Sequence, residues 1–141
     1  MDFSNSFKIS ASGFAAQRAK MDVIISNLAN INTTRTPGGG PYKRKIAVFT
    51  SEPIEGSFNE VLGEHLQLVK VQEIAEDRDC VKKVYDPGHP DADKNGFVTM
   101  PDINSIIEMS DMIIANRAYE ACVTVFDASK NMALRTLDIG K

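Results

Sequence analysis

Asp91, Asp93 and Asn95 stand at alternate positions ahead of Gly96 in the run DADKNGFVTMPD, which continues through Thr99 to Asp102. Oxygen donors at this spacing, with a glycine at the sharp turn, are the arrangement that wraps a hard cation such as calcium. Three features oppose that chemistry here. The preceding YDPGHP carries two prolines and a glycine, so no helix enters the loop. Asp102, at the last ligand place, is shorter than the glutamate that binds bidentately. Pro101 falls where an exit helix would be forming. An Asx-rich turn leading into a short strand accounts for the same residues. A calcium-binding helical adaptor using loop 91–102 is therefore the alternative reading, and no metal site is assigned.

The remaining reactive side chains are sparse. His89 is the single histidine near those carboxylates, and His65 is distant in sequence. A transition-metal site would want further imidazoles or thiolates. Cys80 and Cys122 make neither a zinc cluster nor a disulfide framework, and Cys122, inside a helical apolar pattern, reads as a small buried hydrophobe. There is no G-x-S-x-G and no H-E-x-x-H, and PGGGP (Pro37–Pro41) lacks the lysine and following helix of a phosphate cradle. The residues thus point to no enzyme, no catalytic group and no cofactor. A net charge of -3, with no basic run longer than KRK at Lys43–Lys45, argues against nucleic acid as a partner.

The elements that would position these groups are unusual for a chain of 141 residues. Phe7, Phe14, Met21 and Leu28 recur at intervals of seven, and Phe3, Ile24 and Ile31 fill the intervening places of the same heptad. That is a seam along one helix face, a rod roughly 40 Å long at about 1.5 Å per residue. Ser10 and Gln17 interrupt it, and Gly13 weakens it by about 1 kcal/mol relative to alanine. The run SNLANINTTRTPGGGP then stops it: asparagine tolerates the left-handed conformation that closes helices, and proline and glycines cannot continue one. At the other end Ser105 and Glu108 form an S-x-x-E capping box. From there Met109, Met112, Tyr119, Val123, Phe126, Ala133 and Leu137 follow heptad spacing up to a natural stop at Gly140, with Asn116 and Lys130 as interruptions.

Between the helices the pattern changes. Tyr42–Phe49, His65–Ile74, Cys80–Asp86 and Phe97–Met100 read as strands, with EDRD (Glu76–Asp79) expected to turn between the second and third as a hairpin. The expected fold is α+β: long N- and C-terminal helices packed antiparallel as a coiled-coil-like pair, with a small, mainly antiparallel β-region between them. The segments are an N-terminal helix at 1–32, a loop and β-rich middle at 33–102, and a C-terminal helix at 103–141, the two helices forming one helical domain. The apolar pattern sets an expected register in which Phe14 faces Phe126, Met21 faces Tyr119, Leu28 faces Met112 and Phe7 faces Ala133. Asn116 then lies opposite Ile24 without a polar partner. The apolar stripe on the second helix is too broad for one partner helix to cover, so further subunits are expected to pack on it.

No apolar run approaches the roughly 20 residues that span a bilayer. MDFSNSFKISASGF has neither a basic start nor an unbroken apolar stretch, so the residues alone point to the cytoplasm.

SNLANINTT (Ser26–Thr34) resembles the N-terminal signature shared by the bacterial flagellar rod and hook axial proteins. RTPGGGPYKRK, YDPGHPDADKNGFVTMPDIN and NRAYEACVTVFDASKNMALRTLDIGK resemble, more narrowly, the basal-body rod branch of that family. The resemblance skips mainly Thr50–Glu64. It implies a structural subunit of the proximal rod, the shaft that carries torque from motor to hook, with the terminal helices side by side in an inner tube. The implied partners are further copies of the chain, the rod proteins FlgB, FlgF and FlgG, the adaptor FliE and the flagellar type III export apparatus. The implied destination is the basal body within the periplasm, reached without a cleavable signal. On this reading Asn27, Leu28, Ala29, Asn30, Asn32 and Thr33 are the axial-family motif, expected to fix where the seam ends and the outer layer begins. The sequence departs from the family at Cys122, where asparagine is usual, at Gly38, often acidic, and at Asp102, more often asparagine. Asparagine at that last position removes a charge from the calcium ligand set.

Overall fold

The computed structural model describes residues 3–54, 66–77 and 80–139. Helix α1 spans Phe3–Ala29; strands β1 (Lys45–Pro53), β2 (Gln67–Glu76), β3 (Val81–Tyr85) and β4 (Phe97–Pro101) follow, and helix α2 spans Ser105–Ile139. The architecture is α+β, as the periodicities predict, with two two-stranded antiparallel sheets between the helices.

Side-chain hydrogen bonds, not backbone handedness, close α1. No described residue other than glycine has a positive φ, so the asparagines do not take the left-handed conformation. Instead Asn30 Nδ2 donates to the Ser26 carbonyl at 2.8 Å, and Asn30 Oδ1 accepts from Thr33 Oγ1 at 3.1 Å. Left-handed backbone appears at Gly39 and Gly40, φ 84° and 77°. There the Thr36 N–H donates to the Gly40 carbonyl at 2.9 Å, closing a tight loop. The Tyr42 N–H then donates to the Thr33 carbonyl at 3.0 Å, returning the chain to the end of α1.

The start of α2 differs from the expected capping box. Asn104 is the cap: its Oδ1 accepts from the Ile106 and Ile107 N–H groups at 2.9 and 3.4 Å, and its carbonyl accepts from the Glu108 N–H. Ser105 is already helical, and the Glu108 side chain is committed elsewhere.

Strand pairing differs as well. β1 pairs with β2 from Lys45↔Glu76 to Pro53↔Gln67, with a bulge at Val48/Phe49 that leaves Gln72 unmatched. β3 pairs with β4 from Val81↔Pro101 to Tyr85↔Phe97. The expected turn at Glu76–Asp79 therefore joins strands of different sheets, not a hairpin; its Arg78 and Asp79, like His65 and Gly140, lie outside the described residues. The physical reason is that β1 has the length to match β2, and the Asp77 N–H prolongs that ladder by donating to the Arg44 carbonyl at 2.8 Å.

The helices pack antiparallel and keep the expected contact of Phe14 with Phe126, but Phe126 also takes Phe7 and Tyr119 takes Phe14, so the layers are displaced toward the pairing one heptad earlier. Phe7 meets Phe126 with ring centroids 5.1 Å apart, where Ala133 was expected. Phe14 lies between Tyr119 at 5.3 Å and Phe126 at 6.0 Å. On α2 the inward face combines Met112, Tyr119, Phe126 and Ala133, all half-buried, with a second heptad series of small or polar residues: Glu108, Ala115, Cys122 and Ser129. Small side chains let the helices approach: a Cβ added at Gly13 would stand 2.9 Å from Cys122 Sγ. On α1, Phe3, Phe7, Phe14, Met21, Leu28 and Ile31 are half-buried, and Ile24 is buried. Ser10, which interrupts the apolar seam, is also buried, its hydroxyl donating to the Ser6 carbonyl at 2.9 Å. Met109, Val123 and Leu137 face outward, Met109 at 57% exposure and Leu137 at 68%. Asn116 has a polar partner after all, donating to Glu120 one turn on at 2.9 Å.

Candidate functional site

The most constrained group of side chains lies where α1, the segment 42–45 and the first turn of α2 converge. Asn27, on the last turn of α1, is 1% exposed. Its amide is fully used. Nδ2 donates to the Lys45 carbonyl at 2.9 Å and to Glu108 Oε2 at 3.1 Å. Oδ1 accepts from the Tyr42 hydroxyl at 3.1 Å and from the Lys45 N–H at 2.9 Å. Asn27 thus completes the start of β1 as a neighbouring strand would, because an amide offers both donor and acceptor.

Glu108, also 1% exposed, receives Arg44 on its other oxygen: Arg44 Nε donates to Oε1 at 2.7 Å and the Nη2 to Oε1 separation is also 2.7 Å. Burial by itself would lower the Arg44 pKa. The hydrogen bond and charge of Glu108, helped by Cys80 and Asp111, outweigh burial and raise it above the ordinary guanidinium value. The Glu108 charge also sits at the positive end of the α2 macrodipole. Tyr42 completes the set, its hydroxyl 3.0 Å from Ser26 Oγ and its ring beneath Lys45 Nζ, 5.7 Å from the centroid. Among the described residues no buried side-chain nitrogen or oxygen lacks a hydrogen-bond partner. A buried ion pair is stabilising only under such full satisfaction.

Of the axial-motif residues, Asn27 enters this node and Asn30 with Thr33 caps the helix beside it. Leu28 packs half-buried, while Ala29 and Asn32 are exposed. Tyr42, Arg44 and Glu108 carry no sequence signal of this node. Arg44 is hidden within a run of basic residues, and Glu108 sits where a capping glutamate would.

The acidic loop is engaged in turns. Asp93 Oδ1 accepts from the Asn95 and Phe97 N–H groups at 2.7 and 3.0 Å, and these bonds hold its pKa below the usual carboxylate range. Asp91 Oδ2 accepts from Thr34 Oγ1 at 2.8 Å, pinning the loop to the segment after α1. Gly96, φ 80°, turns the chain beneath the Tyr85 ring. Among the described residues no three His, Cys, Asp or Glu side chains are grouped to hold an ion. Both cysteines are free thiols: Cys122 sits against Gly13, and Cys80 donates to Asp77 Oδ2 at 3.0 Å. That bond, then burial, pushes the Cys80 pKa up to about 11. No described helix is long and apolar enough to cross a membrane.

A long antiparallel helix pair clasped at one end by a polar node, with an apolar outer face, is the architecture of a structural subunit. Comparison with known proteins gives the class its place. Residues 7–35 match the family described as flagella basal body rod protein, and residues 94–139 match the C-terminal family of the flagellar basal body rod FlgEFG proteins. The flagellar basal-body rod protein FlgC of Borreliella burgdorferi is 42% identical over 99% of this chain and 98% of its own length. The FlgC proteins of Bacillus subtilis and Salmonella typhimurium are 39% and 38% identical, each over 97% of both chains. The chain belongs to the FlgC family of flagellar basal-body rod proteins. It is a structural subunit of the bacterial flagellar basal body, required for motility as part of the rod, and not an enzyme.

Proposed function

We propose that the subunit is built into the proximal rod, the torque-transmitting shaft within the periplasm, with segments 1–32 and 103–141 in an inner tube and 33–102 in the layer around it. The observation that supports this is the outer face of α2. Ile106, Ile107, Met109, Ile113 and Ile114 are all exposed, Ile106 at 73%, beside a helix face already packed on α1. Apolar surface concentrated in this way marks an interface. The reading assigns Met109, Val123 and Leu137 to contacts with neighbouring copies. Phe3, Phe7, Phe14, Met21, Ile24, Leu28, Ile31, Met112, Tyr119, Phe126 and Ala133 hold the helix pair that presents them. The motif Asn27 to Thr33 marks where inner helix gives way to outer layer. Neighbours along the shaft are further copies, FlgB, FlgF, FlgG and the adaptor FliE, and the chain reaches them through the flagellar type III export apparatus.

The test is complementation of a strain lacking the gene. Ile113→Asp/Ile114→Asp changes exposed positions, so the isolated subunit should keep its stability within about 0.5 kcal/mol. Purified basal bodies should nevertheless lack a rod, and the cells should not swim. Normal basal bodies and motility with this variant would sink the assignment of the α2 face. Asn30→Ala/Asn32→Ala should impair rod assembly more than subunit expression.

A further inference from the structure

We propose that the Asn27–Glu108–Arg44 node is a register lock: it selects one of two heptad-related pairings that the aromatic residues of α1 and α2 would both accept. Phe7 and Phe14 are seven residues apart, as are Tyr119 and Phe126, so sliding one helix by a heptad exchanges one aromatic layer for another. In the observed pairing Phe7 meets Phe126 and Phe14 lies between Tyr119 and Phe126. In the slipped pairing Phe14 takes the place of Phe7 against Phe126, Met21 takes the place of Phe14 between Tyr119 and Phe126, and Phe7 moves to Ala133. That second pairing matches the large apolar residues of the two helices well, yet the chain does not adopt it.

The difference lies in the polar groups. In the observed pairing Asn27 Nδ2 reaches Glu108 Oε2 at 3.1 Å, and Arg44 closes on the same carboxylate. After the slip Asn27 faces Ala115, which is fully buried, and its Nδ2 loses the carboxylate. Glu108 leaves both partners, and a buried charge without a partner is strongly disfavoured. Gly13 and Cys122 form a second notch at the same register. A single buried polar position that fixes coiled-coil register is a known physical device; here it spans three chain segments and couples the helix pair to the start of β1.

The same notch supplies the readout. A Cβ built at Gly13 lies 4.0 Å from Cys122 Cβ, inside the roughly 3.5–4.5 Å range of disulfides. With Cys80→Ser throughout and oxidised glutathione as the oxidant that takes up the two electrons and two protons, Gly13→Cys reports the observed pairing by linking to Cys122, and Lys20→Cys reports the slipped one. With the node intact, the link at 13 should exceed that at 20 at least tenfold. Glu108→Leu/Arg44→Met leaves Asn27 bonded to Lys45 and removes only the tie between helices. Its link at 20 should rise to rival that at 13. Glu108→Ala/Ala115→Glu moves the carboxylate one heptad along α2 and should invert the ratio. A Leu/Met variant that stays helical and links only at 13, or a moved glutamate that leaves the ratio unchanged, would overturn the proposal. Loss of the helical circular dichroism signal in the Leu/Met variant would overturn it too, because a lock selects between pairings that the seam can form without it.

Discussion

Replacing Asn27 by alanine tests the node most directly. Asn27 makes four hydrogen bonds from a site with 1% exposure. Not all four partners are orphaned by its loss. The Tyr42 hydroxyl keeps Ser26, and Glu108 keeps Arg44. The Lys45 N–H and carbonyl, which begin β1 beside the helix, lose their partner outright. An unsatisfied buried backbone group costs about 1–3 kcal/mol, and Lys45 is only half-buried, so the two together cost about 3 kcal/mol. Asn30→Ala is the control: it also removes two hydrogen bonds at the helix end, but partly buried ones, for about 1 kcal/mol. Urea unfolding of the full chain reads both. With a slope of about 1–3 kcal/mol per molar, Asn27→Ala should lower the midpoint by 1 M or more. A loss below about 1 kcal/mol, or one equal to that of Asn30→Ala, would refute the reasoning that Asn27 is a structural hub and leave it a helix terminator like its neighbours.

The aromatic layer predicts a second pattern. Phe14→Ala should destabilise by about 2–4 kcal/mol in the same assay, below the range for full burial because Phe14 is half-buried, and Phe14→Ala/Phe126→Ala should cost less than the sum of its parts. Gly13→Ala should fail to deliver the roughly 1 kcal/mol of helix propensity it carries elsewhere, because the new methyl meets Cys122 Sγ; adding Cys122→Ala should restore the gain, and a stabilising Gly13→Ala alone would contradict the close approach. Cys80, with its pKa near 11, holds little thiolate at pH 9, so alkylation should proceed roughly tens of times slower than for an ordinary thiol, and Asp77→Asn should accelerate it. The neutral thiol is the form that the fold favours, so this contribution to stability is present below about pH 9 and lost as pH rises toward 11.

The two helices and the four strands are legible in the sequence because each carries its own period: seven along Phe7 to Leu28, two along the segment that became β2. What the period does not carry is which apolar residues a lone subunit buries. Met109, Val123 and Leu137 are as apolar as Met112, Tyr119 and Phe126, yet the first three face outward. Helix α1 instead takes Glu108, Ala115, Cys122 and Ser129, residues that hydropathy ranks as poor seam positions. Close approach and hydrogen bonding decide that choice, and both depend on the partner helix. The node was hidden for a similar reason. Asn27 and Glu108 are 81 residues apart, and each has an adequate local explanation, one as a helix terminator and the other as a capping glutamate. Strand partnership was obscured because two pairings of β2, with β1 or β3, satisfy the same alternation; the length of β1 and the ladder contact at Asp77 decide it.

The separation between Asn27 and Glu108 also bears on the order of folding. Contacts within the β3–β4 hairpin close a loop of about ten residues and form quickly. Those between α1 and α2 close loops of 81 residues at the node and 119 at the Phe7–Phe126 layer, and that loop entropy must be met before any contact repays it. An isolated α1 carries a glycine and polar interruptions in its seam and is marginal by itself. In a chain emerging N-terminus first, α1 can meet only β1 and β2 until the residues up to Phe126 have arrived. The hairpins can be in place before the helix that precedes them in sequence. Stopped-flow refolding should show a strand signal ahead of the main helical one, and truncation at Asp102 should leave β3–β4 pairing while abolishing most of the helicity of α1.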